Sequence, residues 1–173
     1  GLPFRLTQAQ NRVIEQVSMD MAAPHSMRRL IQGDVGSGKT VVAAWALLRA
    51  VETGHQSAMM APTEILAKQH YDTLSSWFEP LGVRVALLKG STPSAKKAEI
   101  LEGLKAGKIQ VAVGTHALFQ ETVVFNNLSL LVIDEQHRFG VRQRAMLEDK
   151  GITPDMLVMS ATPIPRTLAL TVY

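Results

Sequence analysis

Arg29-Leu30-Ile31-Gln32-Gly33-Asp34-Val35-Gly36-Ser37-Gly38-Lys39-Thr40 is the stretch whose reading decides the fold. A short apolar strand runs into a glycine-rich turn, and Val41 to Thr53 continues as a helix that Gly54 stops. Gly33 to Thr40 matches the pattern G-x-x-x-x-G-K-[ST]. Its glycines let the backbone curl so that successive N–H groups point inward at a phosphate, and the following helix adds its positive dipole end. Lys39 would reach the outer phosphates of a bound chain of phosphates, and the Thr40 hydroxyl would ligate Mg²⁺. Gly33, Asp34, Val35, Gly36, Ser37, Gly38, Lys39 and Thr40 are therefore the candidate cradle. The plain alternative is a glycine-rich βα turn without a ligand. With glycine near 7% of residues in general, a chance match in a chain this long arises roughly once in a few hundred sequences. The strand before the match and the helix after it are also what a phosphate loop requires.

Outward from this stretch the apolar period keeps switching between strand and helix. Thr7 to Ala23 carries Val13, Ile14, Val17 and Met21 on one helical stripe, with Thr7 and Gln10 spaced as a capping box. Strands are expected at Ser57 to Ala61, Val83 to Leu88, Ile109 to Val113, Leu128 to Ile133 and Asp155 to Ser160. Helices are expected at Glu64 to about Phe78, from Pro93 to about Ala106 with a stop at Gly107, and at Val141 to Asp149. Strands of four to six residues alternating with longer helices predict an α/β domain, its mostly parallel sheet covered on both faces. Leu128 to Asp134 is apolar almost throughout, as double covering demands.

Composition narrows the class. The chain has 173 residues, enough for one domain with a real core. It is 46% hydrophobic and 19% charged, which excludes global disorder. Having no cysteine, it has no disulfide framework, thiolate zinc site or cysteine nucleophile. No apolar run is long enough to span a membrane, and no signal-peptide pattern opens the sequence. A net charge of +3 permits nucleic-acid binding without demanding it. Lys96, Lys97, Lys105 and Lys108 lie on or beside one helix and read as a solvated face.

Asp134-Glu135 ends the Leu128 strand, at the strand edge where open α/β sheets bind ligands. Asp134 would hold Mg²⁺, directly or through water. Glu135 would orient and deprotonate the attacking water. Alone the pair could simply face solvent. Beside a phosphate loop it reads as a nucleotide-hydrolysing site.

Asp134-Glu135-Gln136-His137 resembles the D-E-x-H box of superfamily 2 helicases, and Ser160-Ala161-Thr162 resembles their S-A-T motif. Ala61-Pro62-Thr63-Glu64 and Gly114-Thr115-His116 look like the motifs that hold the nucleic-acid backbone. Leu6 to Gln10 resembles the motif that reads adenine. The resemblance implies a RecA-like fold using ATP and Mg²⁺, with Gln10 at the adenine and Thr63, Thr115 and His116 at DNA. It implies that Ser160 and Thr162 couple nucleotide state to DNA grip, and that His137 bonds toward Gln10 or the S-A-T motif. Gln10 keeps its second reading as a cap, and a lone histidine such as His116 is often structural.

The longer strings GDVGSGKT, APTEILAKQH, GTHALFQ, DEQHRFGVRQR and MSATPIPRTLA together are similar to the bacterial RecG family of DNA helicases. Transcription-repair coupling factors share several of these pieces, so a double-stranded DNA translocase is the alternative. A small-molecule P-loop kinase is a more distant one, since no lid-like arginine-rich insertion is present. The RecG resemblance implies a cytoplasmic, monomeric bacterial motor acting on branched DNA. It also implies that a wedge domain and a second RecA-like lobe with an arginine finger lie outside this chain, which would be the first lobe. Arg138, Arg142, Arg144 and Arg166 could face DNA or that second lobe.

Overall fold

Leu130-Leu131-Val132-Ile133 is fully buried because helices cover both sides of the strand that carries it. A computed structural model of the chain describes residues 8, 10–12, 14–15, 28–32, 37–134, 153–160 and 171–172. In chain order the elements are β1 (Arg28–Gln32), α1 (Ser37–Glu52), β2 (Gln56–Met60), α2 (Glu64–Phe78), β3 (Val85–Leu88), α3 (Ser94–Lys105), β4 (Val111–Gly114), β5 (Leu128–Asp134), β6 (Asp155–Ser160) and β7 (Thr171–Val172). Short 3-10 turns at Glu79–Leu81 and His116–Phe119 follow α2 and β4. Residues 8, 10–12, 14 and 15 are helical, as expected of the first segment. The helix expected at Val141 to Asp149 lies outside the described residues.

The strands pair in the order β3-β4-β2-β5-β6-β1-β7, every neighbour parallel. Side-chain alternation splits the core into two layers. Met59, Val111, Val113, Leu130, Val132 and Leu157 meet Leu47 of α1 and Leu74 and Phe78 of α2. Ala58, Met60, Ala112, Leu131, Ile133 and Met156 meet Ile100 and Leu104 of α3 and Leu118 and Phe119 of the 3-10 turn. Each fully buried Leu or Ile contributes about 1.5–3 kcal/mol, so a polar residue in β5 would be costly from either side.

Element ends differ from the sequence reading where backbone donors are already used. The strand expected from Ile109 begins at Val111, because the Lys108 and Ile109 N–H groups bond the Gly103 carbonyl at the end of α3. The strand expected from Val83 begins at Val85, since the Val83 N–H bonds the Phe78 carbonyl. Gly54 and Gly107 do end their helices, with φ of +86° and +77° that an L side chain would strain. The glycine-rich turn was expected to last to Thr40, but α1 already begins at Ser37. Lys39 and Thr40 therefore sit in the first helical turn, where the orphan N–H groups and the positive dipole end lie.

The two sheet edges along the strand direction do different jobs. At the N-terminal edge, buried Gln56 donates from Nε2 to the Leu104 and Ile109 carbonyls at 2.9 and 2.8 Å, and its Oε1 accepts the Asn127 N–H. That clamp satisfies all but one bond of a side chain only 3% exposed. At the C-terminal edge, registers place Leu88, Gly114, Met60 and Ile133 in one row, and pair Asp134 with Met159 and Gln32 with Ser160. The candidate site residues lie at or just after those positions. No helix among the described residues is long and apolar enough to cross a membrane.

Candidate nucleotide and nucleic-acid site

The row of strand ends divides into two halves. On one side, β6 lies between β1 and β5, so the strand that precedes the phosphate turn and the strand that ends in Asp134 are two spacings apart. That is about 10 Å between backbones, room for phosphate oxygens and a cation. On the other side, β2, β4 and β3 carry the segments Ala61 to Glu64, Thr115-His116 and Lys89 to Thr92.

Lys39 is 7% exposed, and Thr40 beside it is half-buried. A lysine buried to that degree needs a negative partner, and a phosphate seated on this turn is such a partner. The first turn of α1 carries no acidic residue to oppose one. Ser37 and Gly38 lie in the same turn, whereas Gly33, Asp34, Val35 and Gly36 lie outside the described residues. Gln10 is 8% exposed, near Ile14 in the chain and buried like it.

Asp134 is the last residue of β5, with its side chain 13% exposed. Its Oδ2 lies 2.8 Å from Nε2 of His70, which is 14% exposed and comes from the second turn of α2. A carboxylate is acceptor only, so the imidazole donates. The sequence reading passed over His70. Its signal was available: Ala67, Leu74 and Phe78 form the inward stripe of α2, and position 70 places a polar ring within it. Oδ1 of Asp134 and the Thr40 hydroxyl are hard oxygen donors, the chemistry Mg²⁺ prefers when substrate phosphates complete its shell. The residues present thus fit that ion. Glu135, His137 and Thr162 lie outside the described residues. Ser160 is described by its backbone, paired with Gln32 at the end of β1.

Thr63 is exposed and caps α2, its Oγ1 accepting the Leu66 N–H at 3.2 Å. A hydroxyl that accepts can also donate its own proton, so Thr63 can cap and contact an anion together. Glu64 follows it and accepts from the Ser91 hydroxyl at 2.6 Å, which ties α2 to the turn after β3. Within that turn the Lys89 N–H bonds Thr92 Oγ1 at 2.9 Å. Thr115 is only 9% exposed and caps the 3-10 turn through a long 3.5 Å bond from the Ala117 N–H. Its neighbour His116 is exposed. Gly114 permits this crowding, because a Cβ there would sit 2.2 Å from the Leu88 carbonyl oxygen. Lys96, Lys105 and Lys108 are exposed, and Lys97 donates to Gln120 at 3.0 Å. A cavity of about 300 Å³ opens beside β3, lined by Tyr71, Lys89, Thr92 and Lys96 among others, and its described lining does not include Lys39 or Thr40.

The DEAD/DEAH box helicase family model matches residues 7–171. The chain is 60% identical over 172 residues to the ATP-dependent DNA helicase RecG of Synechocystis, covering 99% of this chain and 21% of that protein. It is 58% identical over 173 residues to RecG of Bacillus subtilis, covering 100% of this chain and 25% of that one. A solved structure of RecG bound to a three-way DNA junction superposes with a TM-score of 0.85 at 52% identity, over 98% of this chain and 23% of that one. The chain spans about a quarter or less of the length of these relatives.

Proposed function

Because the chain belongs to the DEAD/DEAH box helicase family, we propose that it is the ATP-binding first lobe of a RecG-like motor that acts on branched DNA. The observation that carries this reading is the shared sheet edge, with the start of α1 and Asp134 on one half and Thr63 and His116 on the other. A small-molecule kinase would need an acceptor pocket and usually a basic lid, and the sequence carries no lid-like arginine-rich insertion.

In this reading the first turn of α1 binds the phosphates of ATP, with Lys39 against the outer ones. Thr40 and Asp134 would hold Mg²⁺, which would supply positive charge to neutralise the phosphates during hydrolysis. Glu135 positions and deprotonates the attacking water, and His137 bonds toward Gln10 or the S-A-T motif. Gln10 faces the adenine. Thr63 and His116 contact the sugar-phosphate backbone, which positions the strand without reading its sequence. Thr115 supports that contact by holding the turn that presents His116. Ser160 ends β6, the strand lying between β1 and β5, and Thr162 comes two residues later in the sequence, a place from which nucleotide state can be passed on.

A second RecA-like lobe would supply an arginine finger, a contribution of about 10³ to 10⁵ in rate in other NTPases. The 173-residue chain by itself is therefore expected to bind nucleotide weakly and hydrolyse it very slowly. The test is ATPase activity of the full-length protein that carries this domain, with and without DNA. Strong stimulation by forked or three-way DNA is expected. Equal stimulation by unbranched duplex would favour a double-stranded DNA translocase, and no stimulation by any DNA would defeat the motor reading.

A further inference from the structure

His70 joins the two halves of the site, and neither ATP binding nor DNA contact as proposed gives it a task. It sits in the inward stripe of α2 between Ala67 and Leu74, where packing alone calls for an apolar side chain. Its imidazole instead meets Asp134 Oδ2 at 2.8 Å, with both side chains about six-sevenths buried. Thr63, at the capped start of the same helix, is seven residues away, or about 10 Å along a rigid rod. β5, which ends in Asp134, is also the strand that borders β2, from which α2 springs.

We propose that His70 is a positioning residue: its Nε2–H holds Oδ2 of Asp134 so that Oδ1 faces the nucleotide's metal, and it makes α2 the link between DNA contact and that metal site. The inference rests on the reading of Asp134 as the Mg²⁺ carboxylate. An unrestrained Asp rotates freely about its side-chain bonds, and a buried donor on one oxygen selects a single rotamer. Partners that hydrogen-bond a metal ligand in this way typically matter about 10- to 100-fold for metal affinity. Because the donor rides on α2, a shift of the helix when Thr63 engages a strand reaches Asp134 through one hydrogen bond.

The test is Mg²⁺-dependent binding of a fluorescent ADP to the full-length protein, measured with and without forked DNA. His70→Phe and His70→Leu remove the donor while keeping bulk, and His70→Gln returns an N–H. The Mg²⁺ concentration for half-maximal binding should rise about tenfold in the first two, return to within about threefold of the original in His70→Gln, and respond less to DNA in the donor-free variants. Mg²⁺ dependence in His70→Phe or His70→Leu equal to the original would overturn the inference. Asp134→Asn separates the two readings. If it leaves Mg²⁺ dependence unchanged, the assignment of Asp134 fails and takes this inference with it. If it changes that dependence while the His70 variants do not, only the role of His70 fails. The unsubstituted protein gives a further measurement that does not need a folded variant. The ¹⁵N resonance of the His70 Nε2 should move when Mg²⁺ is added to the nucleotide-bound state, and a resonance that stays still would count against the proposal.

Discussion

Two helices begin at the same edge of the same sheet, and their first turns are built oppositely. The first turn of α1 has no acidic residue, and it includes Gly38, buried Lys39 and half-buried Thr40. The first turn of α2 is closed by its own chain: Thr63 takes the Leu66 N–H, and Glu64 brings a negative charge that accepts from Ser91. A helix start of the first kind suits a multiply charged anion held by backbone and ammonium together. One of the second kind can offer a passing phosphate little more than a hydroxyl proton. Under the proposed function, the contrast separates a site that grips its ligand through a reaction from a surface that releases a strand repeatedly.

Lys39→Ala should give the largest effect, since it removes the one cation of the α1 turn. ATP turnover by the full-length protein should fall about 10² to 10³-fold, as when one charge-stabilising donor is lost from other active sites. DNA affinity without nucleotide should not change in a filter or anisotropy assay, and an equal loss in both would erase the contrast between the two helices. Thr63→Ala should act in the opposite place. Loss of the cap costs roughly 1 kcal/mol, read as a fall in Tm of about 2–4 °C for a domain of this size. DNA binding should weaken a few-fold while nucleotide binding stays put, and Thr63→Ser should restore both. Glu64→Gln should give the smallest change and in the other direction. Removing an exposed carboxylate from a phosphate-facing turn should tighten DNA binding by up to about fivefold at low salt, with the gain vanishing as salt screens it. If Glu64→Gln weakened DNA binding instead, the Ser91 tie would matter more than the charge.

Much of this was legible along the chain because it is local. The helix from Glu64 to Phe78 and the stop at Gly54 follow from one residue and its near neighbours. The apolar run in β5 announced a strand covered on both faces. The start of α1 was misplaced by four residues, since glycine and serine look like a turn until a buried helix behind them extends forward over Ser37 and Gly38. Thr115, expected at DNA from its motif, is nearly buried, because Gly114 draws β4 close to the Leu88 carbonyl and pulls its follower inward. His70 was passed over because its partner is 64 residues away.

The sequence by itself determined the α/β alternation, the phosphate-loop and acidic motifs, and the helix caps, because each depends on spacing within a few residues. The tertiary structure decided the strand order β3-β4-β2-β5-β6-β1-β7, and with it which motifs share a half of the edge. It also decided that a histidine on α2 reaches Asp134. Parallel strands are joined through crossovers, so any of several orders satisfies the same local pattern. Only the packing of helices against both faces selects among them.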